Sequence, residues 1–463
     1  MSGDALLRDV SVRGWPGLVD CRVRGGVVVE VGPRLRAGGE ELVVRGEGGA
    51  LLPGLADHHL HLAAMAALES SVDVSGVARE GLSRLIARAV PGEDGWVRVV
   101  GYDEVAHGEL DRDALDVWNP VLPVRVQHRS GALWVVNSTG LRRLGGDTPD
   151  GMARLRVATG DDIGRGLVWR ADAWLREALG ARPPSLRAVG ARLARLGVTH
   201  VADATPDAGA GEVVAEAVRR GELPQHVLLM AAESTASDHP RLSVGPVKLV
   251  VADHELPEFG ALVLRIRRAH AVGRPVAVHC VTRVALALTL AALDEAGGMR
   301  GDRVEHCAVA DAALAGELAA RGITVVTQPT LVARRGDDYW ARVAPEDRGD
   351  LWPYAGLLRA GVRVAASSDA PYGDPDPWAG LRAAVERRTI SGRVLGPDER
   401  VAAATVLDGL LSALHDPGGP PRQVAPGLPA DLVLLDRPLG EALRAPDAGQ
   451  VRATLIAGRV VHG

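Results

Sequence analysis

Asp57-His58-His59-Leu60-His61 sets two imidazoles two residues apart. In an extended strand such residues share a face, so His59 and His61 can grip one metal ion. Alone the pair says little, because short histidine clusters arise by chance. Its weight comes from other apolar runs that end in the same kind of residue. His279 closes Pro275-Val-Ala-Val-His279, His306 closes Arg303-Val-Glu-His306, and Asp369 closes Val362-Arg-Val-Ala-Ala-Ser-Ser-Asp369. Lys248 lies in Gly245-Pro-Val-Lys-Leu-Val-Val251, and it is the only lysine of the chain; the other 52 basic side chains are arginine. Arginine is always charged and rigid, whereas a buried lysine can lose its proton and react. A chain that has replaced lysine by arginine everywhere else keeps it where arginine cannot serve.

Four imidazoles, a carboxylate and an amine suit a pair of divalent ions with mixed nitrogen and oxygen ligands, zinc first among them. A neutral Lys248 amine can add carbon dioxide, and the resulting carbamate has two oxygens able to bridge two cations. Water between two such ions ionises near neutral pH, so a metal-bound hydroxide is the expected nucleophile. Asp369 is expected to take its proton and pass it to the leaving group, as general base and then acid.

The elements that must carry these residues alternate between strand and helix. Candidate strands are 50–57, 198–203, 226–231, 246–251, 275–280, 303–307, 323–327 and 362–367, with helical stretches between them. A helix with apolar Leu186, Val189, Leu193 and Leu196 is expected to start from Ser185 as its cap and to end at Gly197. Eight such units argue for a (β/α)8 TIM-like barrel with its chemistry at the C-terminal ends of the strands. Residues 1–50 and 425–463 read as short strands with glycine turns, expected to meet in one composite β-sandwich domain. Residues 51–64 and 185–424 make the metal-binding barrel. Residues 65–184 break its rhythm and read as an inserted α+β lobe after the first strand, over the barrel mouth.

Bulk properties exclude other classes. A net charge of −5 gives no basic footprint for nucleic acid. Cys21, Cys280 and Cys307 are too few and too scattered for a disulfide framework, and no signal peptide or membrane-length apolar run is visible. A cytoplasmic enzyme acting on a small molecule is expected, and a homodimer is compatible with it. Cys280 and Cys307 each follow a ligand histidine, so alternation turns them away from the site as small core residues.

Pro53-Gly-Leu-Ala-Asp-His-His-Leu-His-Leu62 resembles the first-strand metal motif of the amidohydrolase superfamily, and the likeness covers nearly the whole chain. Gly427-Leu-Pro-Ala-Asp-Leu-Val-Leu-Leu435 and Ala457-Gly-Arg-Val-Val461 are similar to its closing segments. Within the superfamily the chain looks most like the N-substituted formamide deformylases and related exoenzyme-regulatory amidohydrolases, through Gly101-Tyr-Asp103, Ser130-Gly-Ala-Leu-Trp-Val-Val-Asn-Ser138, Gln328-Pro329 and Ser368-Asp-Ala-Pro371. The resemblance implies that His59, His61, Lys248 and Asp369 hold one metal, and Lys248, His279 and His306 the other. It implies hydrolysis of a C–N amide bond, N-formyl or N-acyl, in a small molecule. Cyclic-amide opening or deamination on the same site is the alternative, separable by its leaving group. A non-catalytic metal-binding regulatory protein is the alternative of another class, disfavoured because Asp369 accompanies the full ligand set.

The chain departs from that subgroup where substrate would be gripped. Ala132 stands where a histidine is usual, and Thr282-Arg283 stands near the place of a Gly-Asp-Arg stretch. Tyr102, Asp103, His128 and Gln328 are the candidate substrate contacts, His128 as a substitute for the missing imidazole. The charged stretch 334–340 is a candidate lid.

Overall fold

The computed structural model describes residues 4–463 except 40, 93, 130–132, 170, 181–183, 231–236, 238 and 254. The departure at Ala132 therefore lies outside the described residues. The chain divides into two compact units, Met1–Leu62 with Leu186–Gly463, and Ala63–Ser185.

In the larger unit the two ends of the chain share one eight-stranded sheet. Ala5–Val12 pairs with Leu18–Arg24, Leu42–Arg45 and Ala50–Pro53, and Leu432–Leu435 lies against Ala50–Pro53 with Leu51 opposite Leu434. Alternation buries one set of side chains, Leu7, Val10, Cys21, Val23, Leu51, Leu432, Leu434 and Leu455 among them.

The run expected as one strand over 50–57 is two. Ala50–Pro53 belongs to the terminal sheet, and a new strand, Leu55–Leu60, pairs in parallel with Val198–Asp203. Gly54 is the switch. Its N–H donates to Asp431 O, and a Cβ there would stand 2.2 Å from the Thr199 side chain, so only glycine lets the chain pass between the two sheets.

Two parallel sheets follow. One runs Leu55–Leu60, Val198–Asp203, His226–Leu229, Leu242–Val244; the other runs Val247–Val250, Val276–Cys280, Arg303–His306, Thr324–Thr327, Val364–Ala366. Gly245-Pro246, where proline has no N–H to give, parts the two pieces of the fourth strand. Hydrogen bonds bridge the sheets on both flanks: Lys248 N–H to Met230 O at 3.0 Å, Asp369 N–H to His59 O at 2.8 Å, and His61 N–H to Ala370 O at 2.8 Å. These strands are apolar on both faces, as sheets flanked by helices require.

The helix before the second strand starts later than expected, at Arg187, with Leu186 rather than Ser185 in the cap position and no side-chain cap. Its end at Gly197 (φ +82°) is as the turn demands. The stretch 334–340 is no loop: it lies inside the helix Pro329–Arg342, which proline opens at its first turn. Among the described residues, no helix is long and apolar enough to cross a membrane.

The smaller unit is α+β. Its five-stranded sheet runs Leu167–Trp169, Leu133–Val136, Val124–His128, Val97–Tyr102, Val72–Asp73. One apolar cluster gathers Leu82, Ile86, Val99, Leu115 and Val126, and another gathers Trp96, Trp134, Val136, Ile163 and Val168. The Gly/Asp-rich run 145–166 holds the helix Pro149–Thr159, capped by Thr148 and opened by Pro149.

Candidate metal centre

His59 lies near the end of Leu55–Leu60 and His61 just beyond it; Lys248, His279 and His306 sit in the fourth, fifth and sixth parallel strands, and Asp369 follows Val364–Ala366. The structure gathers these six side chains at the C-terminal ends of the strands. Asp369 Oδ1 is 3.3 Å from His61 Nε2 and 3.5 Å from His59 Nε2. Lys248 Nζ is 3.3 Å from His59 Nε2. The His306 ring lies 4.9 Å from that of His59 and 4.4 Å from that of His279. His306, Cys307 and Asp369 take positive φ (72°, 52° and 54°), a conformation that costs free energy in a non-glycine residue and concentrates where a side chain must be aimed.

Burial sets the charge states. His59 is driven well below its ordinary pKa, and His279 and His306 fall to about 4, in each case chiefly because charging a buried imidazole is costly. Burial likewise lowers Lys248 from the ordinary ammonium range, towards the neutral amine. Asp369 goes the other way. Burial pushes its carboxyl up, but the hydrogen bond from His61 and the imidazoles around it outweigh burial and hold it well below the ordinary range.

Behind the ligands lies a shell that the motif reading missed. Glu305 is fully buried; its carboxylate accepts from His59 Nδ1 at 2.5 Å and from Arg303 Nε at 2.6 Å. Arg303, equally buried, also donates to His58 O at 3.1 Å. The signal was present: two charged residues at i and i+2 in a strand as short as Arg303-Val-Glu-His306 share one buried face and must pair. Gln328, a candidate substrate contact, is fully buried. Its Oε1 accepts from His306 Nδ1 at 2.7 Å, and its amide N–H groups donate to Ser367 Oγ at 2.9 Å and Val326 O at 3.3 Å. Thr205 Oγ1 stands 3.1 Å from His61 Nδ1. Asp57 accepts from the backbone N–H groups of His59, in its own strand, and of Ser368, just before Asp369, and burial raises its pKa to about 6.

His58 faces away, with Nε2 3.1 Å from Gly409 O and from Ser412 Oγ. Cys280 and Cys307 are buried, and burial pushes the Cys280 thiol up to about 12. Thr282 caps the helix Arg283–Ala296, and Arg283 is engaged by Asp311, by Asp347 at 2.6 Å and by Asp350 at 2.7 Å. That departure from the resembled subgroup is a structural ion-pair network.

Tyr102, Asp103 and His128 come together in the smaller unit. Tyr102 is buried, and its hydroxyl donates to Gly108 O at 2.8 Å. Asp103 caps a short helix through Val105 N–H and pairs with Arg129, while His128 Nε2 lies 2.5 Å from Glu104. A further cluster, His200, His226 and Asp431, has ligand-type atoms within metal-binding reach. It sits towards the N-terminal ends of the second and third parallel strands. An Arg422 guanidinium donates to His200 Nδ1 at 3.1 Å, which places that imidazole's own proton on Nε2.

The Amidohydro_3 model of the amidohydrolase family matches residues 43–462. The chain belongs to the amidohydrolase family. A 179-residue segment of this amidohydrolase is 30% identical to the N-substituted formamide deformylase of Arthrobacter pascens, covering 37% of the chain and 33% of that relative. The chain thus matches about a third of the curated relative's length. Among solved structures, an uncharacterized metal-dependent hydrolase from Pyrococcus horikoshii OT3 superposes with a TM-score of 0.75 at 20% identity, over 94% of this chain and 97% of that one. An adenosine deaminase from Xanthomonas campestris with bound zinc gives 0.56 at 17% identity, over 99% and 94%.

The donor set of this amidohydrolase fits a divalent metal. His59 and His306 spend Nδ1 on Glu305 and Gln328, which leaves Nε2 as the ligand atom. Ligands about 2.0–2.2 Å from a tetrahedral ion stand roughly 3.3–3.5 Å from one another. The separations of Asp369 Oδ1 from His61 and His59, 3.3 and 3.5 Å, have that size.

Proposed function

We propose that this amidohydrolase cleaves a C–N amide bond of a small N-formyl or N-acyl compound, releasing a carboxylic acid and an amine. The observation that carries the reading is the gathering of His59, His61, His279, His306 and Asp369, from four strand ends, around the chain's only lysine on a fifth strand. The same reading takes the eight parallel strands, bridged on both flanks, as one closed (β/α)8 barrel.

His59, His61, Lys248 and Asp369 would hold one divalent ion, and Lys248, His279 and His306 a second, zinc being the expected metal. Metal bound there supplies Lewis acidity, lowering the pKa of a water and polarising the carbonyl under attack. An ammonium among buried imidazoles would repel cations. Addition of carbon dioxide to the neutral amine, with loss of a proton, turns Lys248 into an anionic carbamate that attracts them. Glu305 and Gln328 keep His59 and His306 in the tautomer that offers Nε2. Asp369 is the carboxylate at the centre of the cluster. It takes a proton from the attacking water and returns it to the departing nitrogen, so that water is consumed and no other co-reactant is needed.

The test is a mass-spectrometric screen of N-formyl and N-acyl amines against zinc-loaded protein. Release of a free amine with its acid is the expected result. Ammonia as the nitrogen product would instead establish deamination, and zinc binding without turnover of any amide, lactam or ester would sink the enzyme reading.

A further inference from the structure

Three imidazoles of the cluster meet an oxygen at Nδ1, and each oxygen is of a different kind. His59 meets the Glu305 carboxylate at 2.5 Å, His306 the Gln328 amide oxygen at 2.7 Å, and His61 the Thr205 hydroxyl at 3.1 Å. The first two partners work in one direction. An ionised carboxylate only accepts. The Gln328 amide donates its N–H to Val326 O at 3.3 Å, so its own oxygen is the atom that faces His306. His59 and His306 therefore keep a proton on Nδ1 and offer Nε2. A hydroxyl both donates and accepts, so Thr205 leaves the tautomer of His61 to be set from the other side of the ring.

That other side is Asp369. Its Oδ1 stands 3.3 Å from His61 Nε2, and the ionised carboxylate takes a hydrogen bond from it. With the ring's proton on Nε2, Nδ1 is bare and the Thr205 hydroxyl donates to it. To be a ligand through Nε2, His61 must instead carry its proton on Nδ1, and Thr205 must accept.

The chain holds that hydroxyl in place. Asp203-Ala-Thr-Pro206 leads out of the strand Val198–Asp203. Asp203 is 1% exposed, and its carboxylate accepts from Thr205 N–H at 3.0 Å and from Leu62 N–H at 2.8 Å. One buried carboxylate thus ties the residue after His61 to the residue that faces His61. Ala204 N–H donates to Leu60 O at 2.8 Å and ties the two segments a second time. Pro206 keeps the residue before it extended, and branching at Cβ restricts the Thr205 side chain.

We propose that Thr205, seated by Asp203, is the positioning residue of His61, and that its hydroxyl reverses direction, donating to Nδ1 in the metal-free protein and accepting from Nδ1–H when His61 binds a divalent metal. This rests on the reading above in which His61 is a ligand. In the change the ring gives its Nε2 proton to solvent and takes one from solvent at Nδ1, so its charge is the same before and after. His61 is then the adjustable ligand, released by Asp369 as it is engaged, whereas His59 and His306 are set in advance.

Two measurements test this. Zinc competition against a chelator compares the unmodified protein with Thr205→Val and Thr205→Ser. Valine keeps the shape and removes the hydroxyl, so zinc affinity should fall about 10- to 100-fold, and serine should recover it to within about threefold. The second measurement leaves Thr205 intact. Nitrogen-15 NMR of histidine-labelled protein, with the His61 signals identified by their loss in His61→Gln, reads which ring nitrogen carries the proton. Nε2 is expected in the metal-free protein and Nδ1 after zinc is added. Unchanged affinity in Thr205→Val, no recovery in Thr205→Ser, or a proton on Nδ1 before zinc is added would overturn the proposal. A proton still on Nε2 in the zinc-loaded protein would overturn it together with the assignment of His61 as a ligand. Amide turnover enters neither measurement, so a failure to hydrolyse any amide would refute the amide-hydrolase reading and leave the role of Thr205 standing.

Discussion

Glu305→Gln is the most informative perturbation of this centre. The side chain keeps its size and loses its charge. Two partners feel the loss. Arg303 is 1% exposed, and its remaining contacts are His58 O and the Met230 sulfur, neither of them an anion. Breaking a buried ion pair from one side costs about 3–5 kcal/mol, because the other charge stays buried without compensation. At about 2.1 cal/mol/K of unfolding entropy per residue, that is a fall in melting temperature of about 3–5 °C for a chain of 463 residues. The second partner is His59, whose Nδ1 lies 2.5 Å from the carboxylate. A neutral amide oxygen is a poorer acceptor, so His59 becomes a weaker and less oriented ligand, and metal affinity should fall about 10- to 100-fold. The assay is zinc competition against a chelator, with thermal melts of metal-free protein alongside. Arg303→Met combined with Glu305→Gln separates the two effects, since no buried charge is then left unpaired. The double variant should regain most of the stability and little of the affinity. Zinc affinity within about threefold of the unmodified protein in Glu305→Gln would refute the role assigned to the His59–Glu305 contact.

Other outcomes follow from the same geometry. Lys248→Arg should bind at most one metal per chain and lose turnover, because a guanidinium cannot become a carbamate; metal analysis by mass spectrometry with two ions retained would refute the bridging role. Asp369→Asn should lower kcat by about 10²- to 10⁴-fold with an unchanged circular dichroism spectrum, and a near-normal rate would mean another group moves the proton. Stability of the metal-free protein should fall as the medium is acidified below the ordinary histidine pKa. His58 is held at about 3 and His279 and His306 at about 4, so the unfolded chain takes up protons that the folded one refuses. Each such histidine contributes up to about 1.4 kcal/mol per pH unit, present above pH ~6.5 and lost below it. Asp57, raised to about 6, opposes this, since the folded form accepts its proton more readily than the unfolded form does. His59 and His200, both driven well below the ordinary value by burial, add to the loss, so the net is at least about two protons, or roughly 3 kcal/mol per pH unit or more, near pH 5. Urea titrations at pH 7 and pH 5 showing equal stability would refute it.

The reading of strands from the sequence worked best where a run was apolar and broken at both ends, as in Val198–Asp203, whose bounds are those expected. It failed at 50–57, where an unbroken apolar run hides a change of sheet at Gly54, because periodicity carries no record of which partner a strand will meet. The stretch 334–340 looked like a loop through its charges. In the helix Pro329–Arg342, Arg334, Arg335 and Asp338 are exposed while Leu331 and Val332 are buried, an arrangement visible only once the buried residues are known.

What the sequence by itself determined is the chemistry of the donors. Residue types, their spacing at the ends of apolar runs, and the survival of one lysine among arginines are written in the chain and need no coordinates. What only the tertiary structure decided is how those donors are held and which other polar groups are free. Glu305 reaches His59 across 246 positions of sequence, and Gln328, expected to face a substrate, is turned inward by His306 and Ser367. Arg283, near the place of the subgroup's substrate-gripping stretch, is consumed by three aspartates. The physical reason is that pairing is a property of distance in the folded state. A buried carboxylate, amide or guanidinium must find its partner through space, and a linear pattern specifies the need for one without naming it.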